Sequence, residues 1–79
     1  MSQELLTIRE TVARHLRRKP KTFDDATPIV SGGLIDSMSL IDLILDLETA
    51  TGVRIPAAEV QPDDFDSIAL IAATVARFR

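Results

Sequence analysis

Leu5, Ile8, Val12 and Leu16 recur at offsets of three, four and four, which lines them along one face and predicts a first α-helix over residues 2–18. Ser2 is placed to cap its start, and Glu4 suits the positive end of the dipole. The run Arg17-Arg18-Lys19 followed by Pro20 marks the other end, because cations are favoured near exposed carbonyls and proline cannot continue the ladder. Residues 21–35 hold neither a helical nor a strand period and include Pro28 and Gly32-Gly33, so they read as one long connection anchored by Phe23, Ile29 and Leu34. Asp36 then caps a second helix, Ser37–Thr51, which Gly52 ends. Its inward stripe is expected to be Ile41, Ile44 and Leu47, with Leu40 and Leu43 nearby, and its polar stripe Ser39, Asp42, Asp46 and Thr49.

Beyond Gly52 the chain reads as extended through Val53-Arg54-Ile55-Pro56, with Pro56 in the first turn of a short helical segment reaching Val60. The last helix has Asp66 as its expected N-cap, Phe65 and Leu70 as a hydrophobic staple, and a stripe of Ile68, Ile71, Val75 and Phe78. No β-period and no internal repeat is visible. The predicted fold is all-α: a small four-helix bundle of three main helices plus one short one, with a long first loop.

At 79 residues the chain is well below the ~150-residue working size of a domain, so residues 1–79 are expected to form a single domain, a monomer around one small core. The composition, 46% hydrophobic and 27% charged, is too apolar for a disordered chain. Cysteine is absent and no His/Cys cluster exists, so neither a disulfide nor a metal site staples the core. The start MSQELLTIRE lacks the basic and apolar regions of a signal peptide, and the most apolar run is broken by Asp42 and Asp46. These features remove a signal peptide and a membrane span, and the absence of cysteine fits a cytoplasmic protein.

Charge narrows the partners. The net charge of −3 has the wrong sign for a domain held on phosphate backbones, which excludes nucleic acid. Eight acidic residues fall within residues 36–66 against Arg54 alone, while both flanks are net basic. An acidic middle points to a partner with a basic face.

Candidate chemistry concentrates in Gly32-Gly33-Leu34-Ile35-Asp36-Ser37-Met38-Ser39-Leu40. Ser37 falls in the first position of a helix, where its hydroxyl is fixed at the surface and the free N–H groups and dipole tolerate an anion such as a phosphate ester. Asp42, Asp46 and Glu48 lie on the same helix. Met38 and Leu45 are candidates for apolar contact with a partner, since so thin a domain cannot bury every side of helix two. His15, the sole histidine, stands among Arg14, Arg17 and Arg18 near a helix end and reads as a surface residue rather than a base. An enzyme reading with Ser37 as nucleophile lacks the adjacent base that activation needs.

With these residues in view, the chain resembles the acyl carrier protein and peptidyl carrier protein family. Asp36-Ser37-Met38 matches the Asp-Ser-Leu type of signature at the start of the family's second helix. Asp42, Glu48, Ile55-Pro56 and the last helix fall where its recognition acids, turn and final helix lie. Gly33-Leu34-Ile35-Asp36-Ser37 is more similar to the Gly-Leu-Leu-Asp-Ser form of discrete D-alanyl and aminoacyl carriers than to the Gly-Ala-Asp-Ser form of fatty-acid carriers.

The resemblance implies that a phosphopantetheinyl transferase places the 4′-phosphopantetheine arm of coenzyme A on Ser37 as a phosphodiester, flanked by Asp36 and Met38. The arm's thiol would hold an acyl or aminoacyl group as a thioester, loaded by an activating ligase and passed to a downstream acyltransferase or synthase. Met38, Asp42, Leu45, Asp46 and Glu48 would meet those partners. The chain itself would not be an enzyme. The competing reading is an unmodified helical protein-interaction module of the same fold.

Overall fold

The computed structural model describes residues 3–79. Three α-helices carry the fold: α1 (Gln3–His15), α2 (Ser37–Thr51) and α3 (Ile68–Phe78). Two 3-10 turns, Ala57–Glu59 and Pro62–Phe65, stand between α2 and α3 in place of the single short helix expected there. Among the described residues there is no strand, and no helix is long and apolar enough to cross a membrane. The expected cap Ser2 lies outside the described residues.

Burial follows the predicted stripes on α1 and α3. Ile8 and Val12 of α1, and Ile68, Ile71 and Val75 of α3, are buried, with Leu5, Leu16 and Phe78 packed at the margin. Alpha-helix α1 packs on both α2 and α3. The long connection is pinned as expected: Ile29 and Leu34 are buried and Phe23 packs against the core. At Gly32 a Cβ would meet the Pro28 carbonyl oxygen at 2.4 Å, so only glycine lets the backbone pass that close. Gly52 closes α2 with φ 73° and its amide on the Glu48 carbonyl, the left-handed cap that the sequence predicts.

Four expectations are corrected. Helix α1 stops at His15, short of residue 18, and the Arg17 amide instead donates to the Leu34 carbonyl at 2.8 Å. On α2 the buried side chains are Leu40, Leu43 and Leu47, with Ile44 half-buried and Ile41 61% exposed. Both sides of this helix are apolar, so periodicity alone did not fix which faces inward. Pro56 precedes its short turn in an extended conformation (ψ 119°) instead of sitting inside it.

The fourth correction concerns the start of α3. Ser67, not Asp66, is the N-cap, and its hydroxyl accepts from the Leu70 amide at 3.1 Å. The expected staple is therefore out of register: Phe65 is fully buried, but Leu70 is exposed. Asp66 has a longer-range task. Its carboxylate accepts from the Val30 amide (2.8 Å), the Ser31 amide (2.8 Å) and the Ser31 hydroxyl (2.7 Å), and its carbonyl accepts from the Ile29 amide (2.7 Å). This latch ties the long connection to the foot of α3.

Burial pushes the Asp66 carboxyl up, but the hydrogen bonds from Ser31 and Val30 outweigh it and hold the group below the usual carboxylate range. The folded-state pKa is thus depressed, so the latch stabilises above the unfolded pKa and is lost as pH falls through the folded one. Asp66→Ala strands the Val30 and Ser31 donors and is expected to cost about 1–3 kcal/mol in a denaturant titration at neutral pH. The gap between variant and wild type should close as the medium is acidified below the carboxylate range. A gap that stays constant with pH contradicts the assignment.

Candidate functional site

The start of α2 is set by Asp36, which is extended (φ −96°, ψ 176°) and accepts the Ser39 amide on Oδ1 at 2.8 Å. Its own carbonyl accepts from the Leu40 amide at 2.9 Å. Leu34 and Ile35 immediately before it are buried, so the chain leaves the core at Asp36 and Ser37 becomes the first helical residue, exposed to solvent. The Ser37 hydroxyl makes no hydrogen bond among the described residues. The Asp36 carboxyl is held below the usual carboxylate range, first by the hydrogen bonds from Ser39 and further by Arg17, whose Nη1 lies 3.5 Å from Oδ2.

Below Ser37 runs an apolar stripe. Met38 is 78% exposed, Ile41 61% and Leu45 57%, at offsets of three and four along one face. A shallow groove of about 240 Å³ opens beside it, lined by Ile41, Ile44, Leu45, Glu48, Ile55 and Ala57. Met38 and Leu45 are therefore as exposed as expected. Ile41 was missed, yet the signal was present: a residue three after Met38 and four before Leu45 shares their face.

The acids of α2 do not form one free face. Asp42 is exposed and makes no hydrogen bond or ion pair among the described residues. Asp46 points back to α1, with His15 Nε2 at 2.9 Å and Arg14 Nη2 at 3.2 Å, and its carboxyl is held low by His15 and then by Arg14. Glu48 accepts the Ile55 amide at 2.7 Å and so fastens the segment after α2. His15 is thus a half-buried partner of Asp46. Among the described residues no cluster of His, Cys, Asp or Glu is arranged to hold a metal ion.

An exposed hydroxyl in the first turn of a capped helix, beside an apolar face, is a handle for attachment. Comparison with known families decides the class: the family described as "Phosphopantetheine attachment site" matches residues 7–75. The chain belongs to this family. It is also 37% identical over 43 residues to D-alanyl carrier protein 1 of Lactiplantibacillus plantarum, an alignment spanning 54% of this chain and about half, 54%, of that relative.

A solved structure agrees over a greater length. It is the crystal structure of an engineered Bradyrhizobium japonicum glycine:[carrier protein] ligase complexed with a carrier protein from Agrobacterium tumefaciens and ATP. The matching chain has a TM-score of 0.79 and 26% identity, with 95% of this chain and 99% of that one covered. The family's cofactor is covalently attached 4′-phosphopantetheine, and both relatives are named as carrier proteins.

The two exposed-looking acids of α2 separate in a charge-reversal experiment. Asp46→Lys sets a cation against Arg14 and His15 and is expected to lower the melting temperature followed by circular dichroism. Asp42→Lys, with nothing to break, is expected to stay within about 0.5 kcal/mol of wild type. Equal losses in the two variants contradict the internal role of Asp46.

Proposed function

We propose that Ser37 bears the 4′-phosphopantetheine arm and that the loaded group is an amino acid. The observation that carries this reading is the placement of the Ser37 hydroxyl: exposed, without an internal partner, and directly after the capping Asp36. When bound, the arm supplies a terminal thiol that keeps the cargo activated as a thioester. Ser37 Oγ provides the ester oxygen. Asp36, whose carboxylate is committed to the Ser39 amide and faces Arg17, positions that serine and is not free to take its proton. Met38 flanks the attachment point on the solvent side.

An aminoacyl cargo is supported by two relatives, one named for D-alanine and one solved with a glycine:[carrier protein] ligase. The partners that follow are a phosphopantetheinyl transferase, an amino-acid-activating ligase and a downstream acyltransferase, meeting a monomeric carrier domain in the cytoplasm. Contact is carried by Met38, Ile41 and Leu45 with Asp42 as the free acid, because Asp46 and Glu48 are held within the fold. The matching surface on a ligase is therefore chiefly apolar, with a cation opposite Asp42.

Incubation of the apo protein with coenzyme A and a broad-specificity phosphopantetheinyl transferase tests the attachment by intact mass. Wild type is expected to gain one arm and Ser37→Ala none. The holo protein, given ATP, an amino acid:carrier protein ligase and glycine or D-alanine, is then expected to gain one aminoacyl mass that hydroxylamine removes. A wild type that gains no arm contradicts the attachment, and a holo protein that accepts no amino acid contradicts the cargo.

A further inference from the structure

The mouth of α2 is already occupied by a carboxylate. Asp36 takes the Ser39 amide at 2.8 Å, leaving less of the helix terminus to compensate a second anion. A helix N-terminus carries only about half an elementary positive charge. A phosphodiester on Ser37 adds a permanent negative charge one residue from Asp36, and like charges at that separation oppose each other unless a cation stands between them.

Two arginines that follow α1, Arg17 and Arg18, approach the cap and the loop that lead into Ser37. The Arg17 amide donates to the Leu34 carbonyl at 2.8 Å, which pins its main chain to the loop leading into Ser37. Its guanidinium reaches Asp36 Oδ2 at 3.5 Å, a long contact, with the side chain 63% exposed and so able to swing. Arg18 stands over the same loop: a Cβ at Gly33 would lie 3.8 Å from its Nη2. Arg18 makes no ion pair among the described residues. A guanidinium presents paired donors that match the non-bridging oxygens of a phosphate.

We infer that Arg17 and Arg18 form a cationic clasp for the phosphodiester that joins the arm to Ser37. This rests on Ser37 being the attachment residue. The clasp holds the root of the arm at the junction of α1, the loop and α2 while the remainder extends freely. Modification consequently tightens this junction, where two unshielded anions would loosen it.

The experiment compares melting temperatures of the apo and holo forms of wild type and of the Arg17→Gln/Arg18→Gln double variant, at low salt and in 0.5 M NaCl, with loading verified by intact mass. Each protein is referred to its own apo form, so the existing Arg17–Asp36 contact is largely removed from the comparison. Wild type is expected to melt higher when holo than when apo at low salt, and the holo-minus-apo difference to fall by roughly 2–4 °C in the double variant, the scale of an exposed ion pair in a domain of this size. High salt should shrink the wild-type difference in the same direction.

The ³¹P resonance of wild-type holo protein is expected to shift with added salt, and that of the double variant to shift less. Equal holo-minus-apo differences in wild type and variant, with the arm present by mass, overturn the clasp and leave the attachment standing. Slower loading of the variant with an unchanged difference assigns the arginines to the phosphates of free coenzyme A and also overturns it. A wild type that gains no arm overturns both readings. If the variant resists loading, the wild-type salt series decides: a salt-independent difference and a fixed ³¹P shift overturn the clasp.

Discussion

The hydrogen bond from the Ser39 amide to the Asp36 carboxylate decides where α2 begins, and with it the angular position of every side chain on that helix. Successive side chains stand about 100° apart around the helix, so this cap and the exit of the chain from the core at Leu34 and Ile35 together set where each face begins. With the start at Ser37, Leu40, Leu43 and Leu47 turn inward and Met38, Ile41 and Leu45 outward. The described residues measure only 17 Å along their shortest axis, so a helix apolar on most of its circumference has to show some of it to water. The same cap that fixes the core therefore puts an exposed hydroxyl at the head of an exposed apolar stripe. The packing of α2 and the exposure of Ser37 share one carboxylate.

Charge in this protein is spent largely on geometry. Asp46 is held by Arg14 and His15 across the α1–α2 contact, Glu48 holds the Ile55 amide, Asp66 holds the Val30 and Ser31 amides, and Arg9 grips Asp25 through two hydrogen bonds of 2.9 and 2.6 Å. Glu4 and Arg79 join the start of α1 to the end of α3. With no disulfide and a small core, these ties fix loops that apolar burial alone would leave loose. An acidic sequence thus yields an exposed face of α2 that is mostly apolar, with Asp42 as its free carboxylate.

The helices and the exposed position of Ser37 were legible because their signals are local. Asp36 and Gly52 bracket α2 with residues that suit a cap at each end, and the stripes of α1 and α3 repeat cleanly. The errors at Asp66 and Asp46 share a nonlocal cause. Asp66 and Ser67 are both good caps, and the choice fell to Ser67 because the Val30 and Ser31 donors, distant in sequence, claimed Asp66. Asp46 looked solvent-facing until the end of α1 brought His15 and Arg14 to it. Ile41 was set inward because α2 is apolar on two sides, although its spacing from Met38 and Leu45 already marked its face. Arg17 and Arg18 read as a helix terminus, and only the fold places Arg17 at Asp36 and Arg18 over Gly33, on the approach to Ser37.

The central claim is that one hydroxyl, set by one cap, carries the arm. Fragmentation mass spectrometry of the protein purified from its native cell tests it most directly, because Ser31, Ser39 and Ser67 offer other hydroxyls on the same chain. The account predicts the phosphopantetheine mass on the peptide bearing Ser37, with fragment ions that place it on that residue. An arm located on any other serine, or a native protein that never carries one, contradicts it.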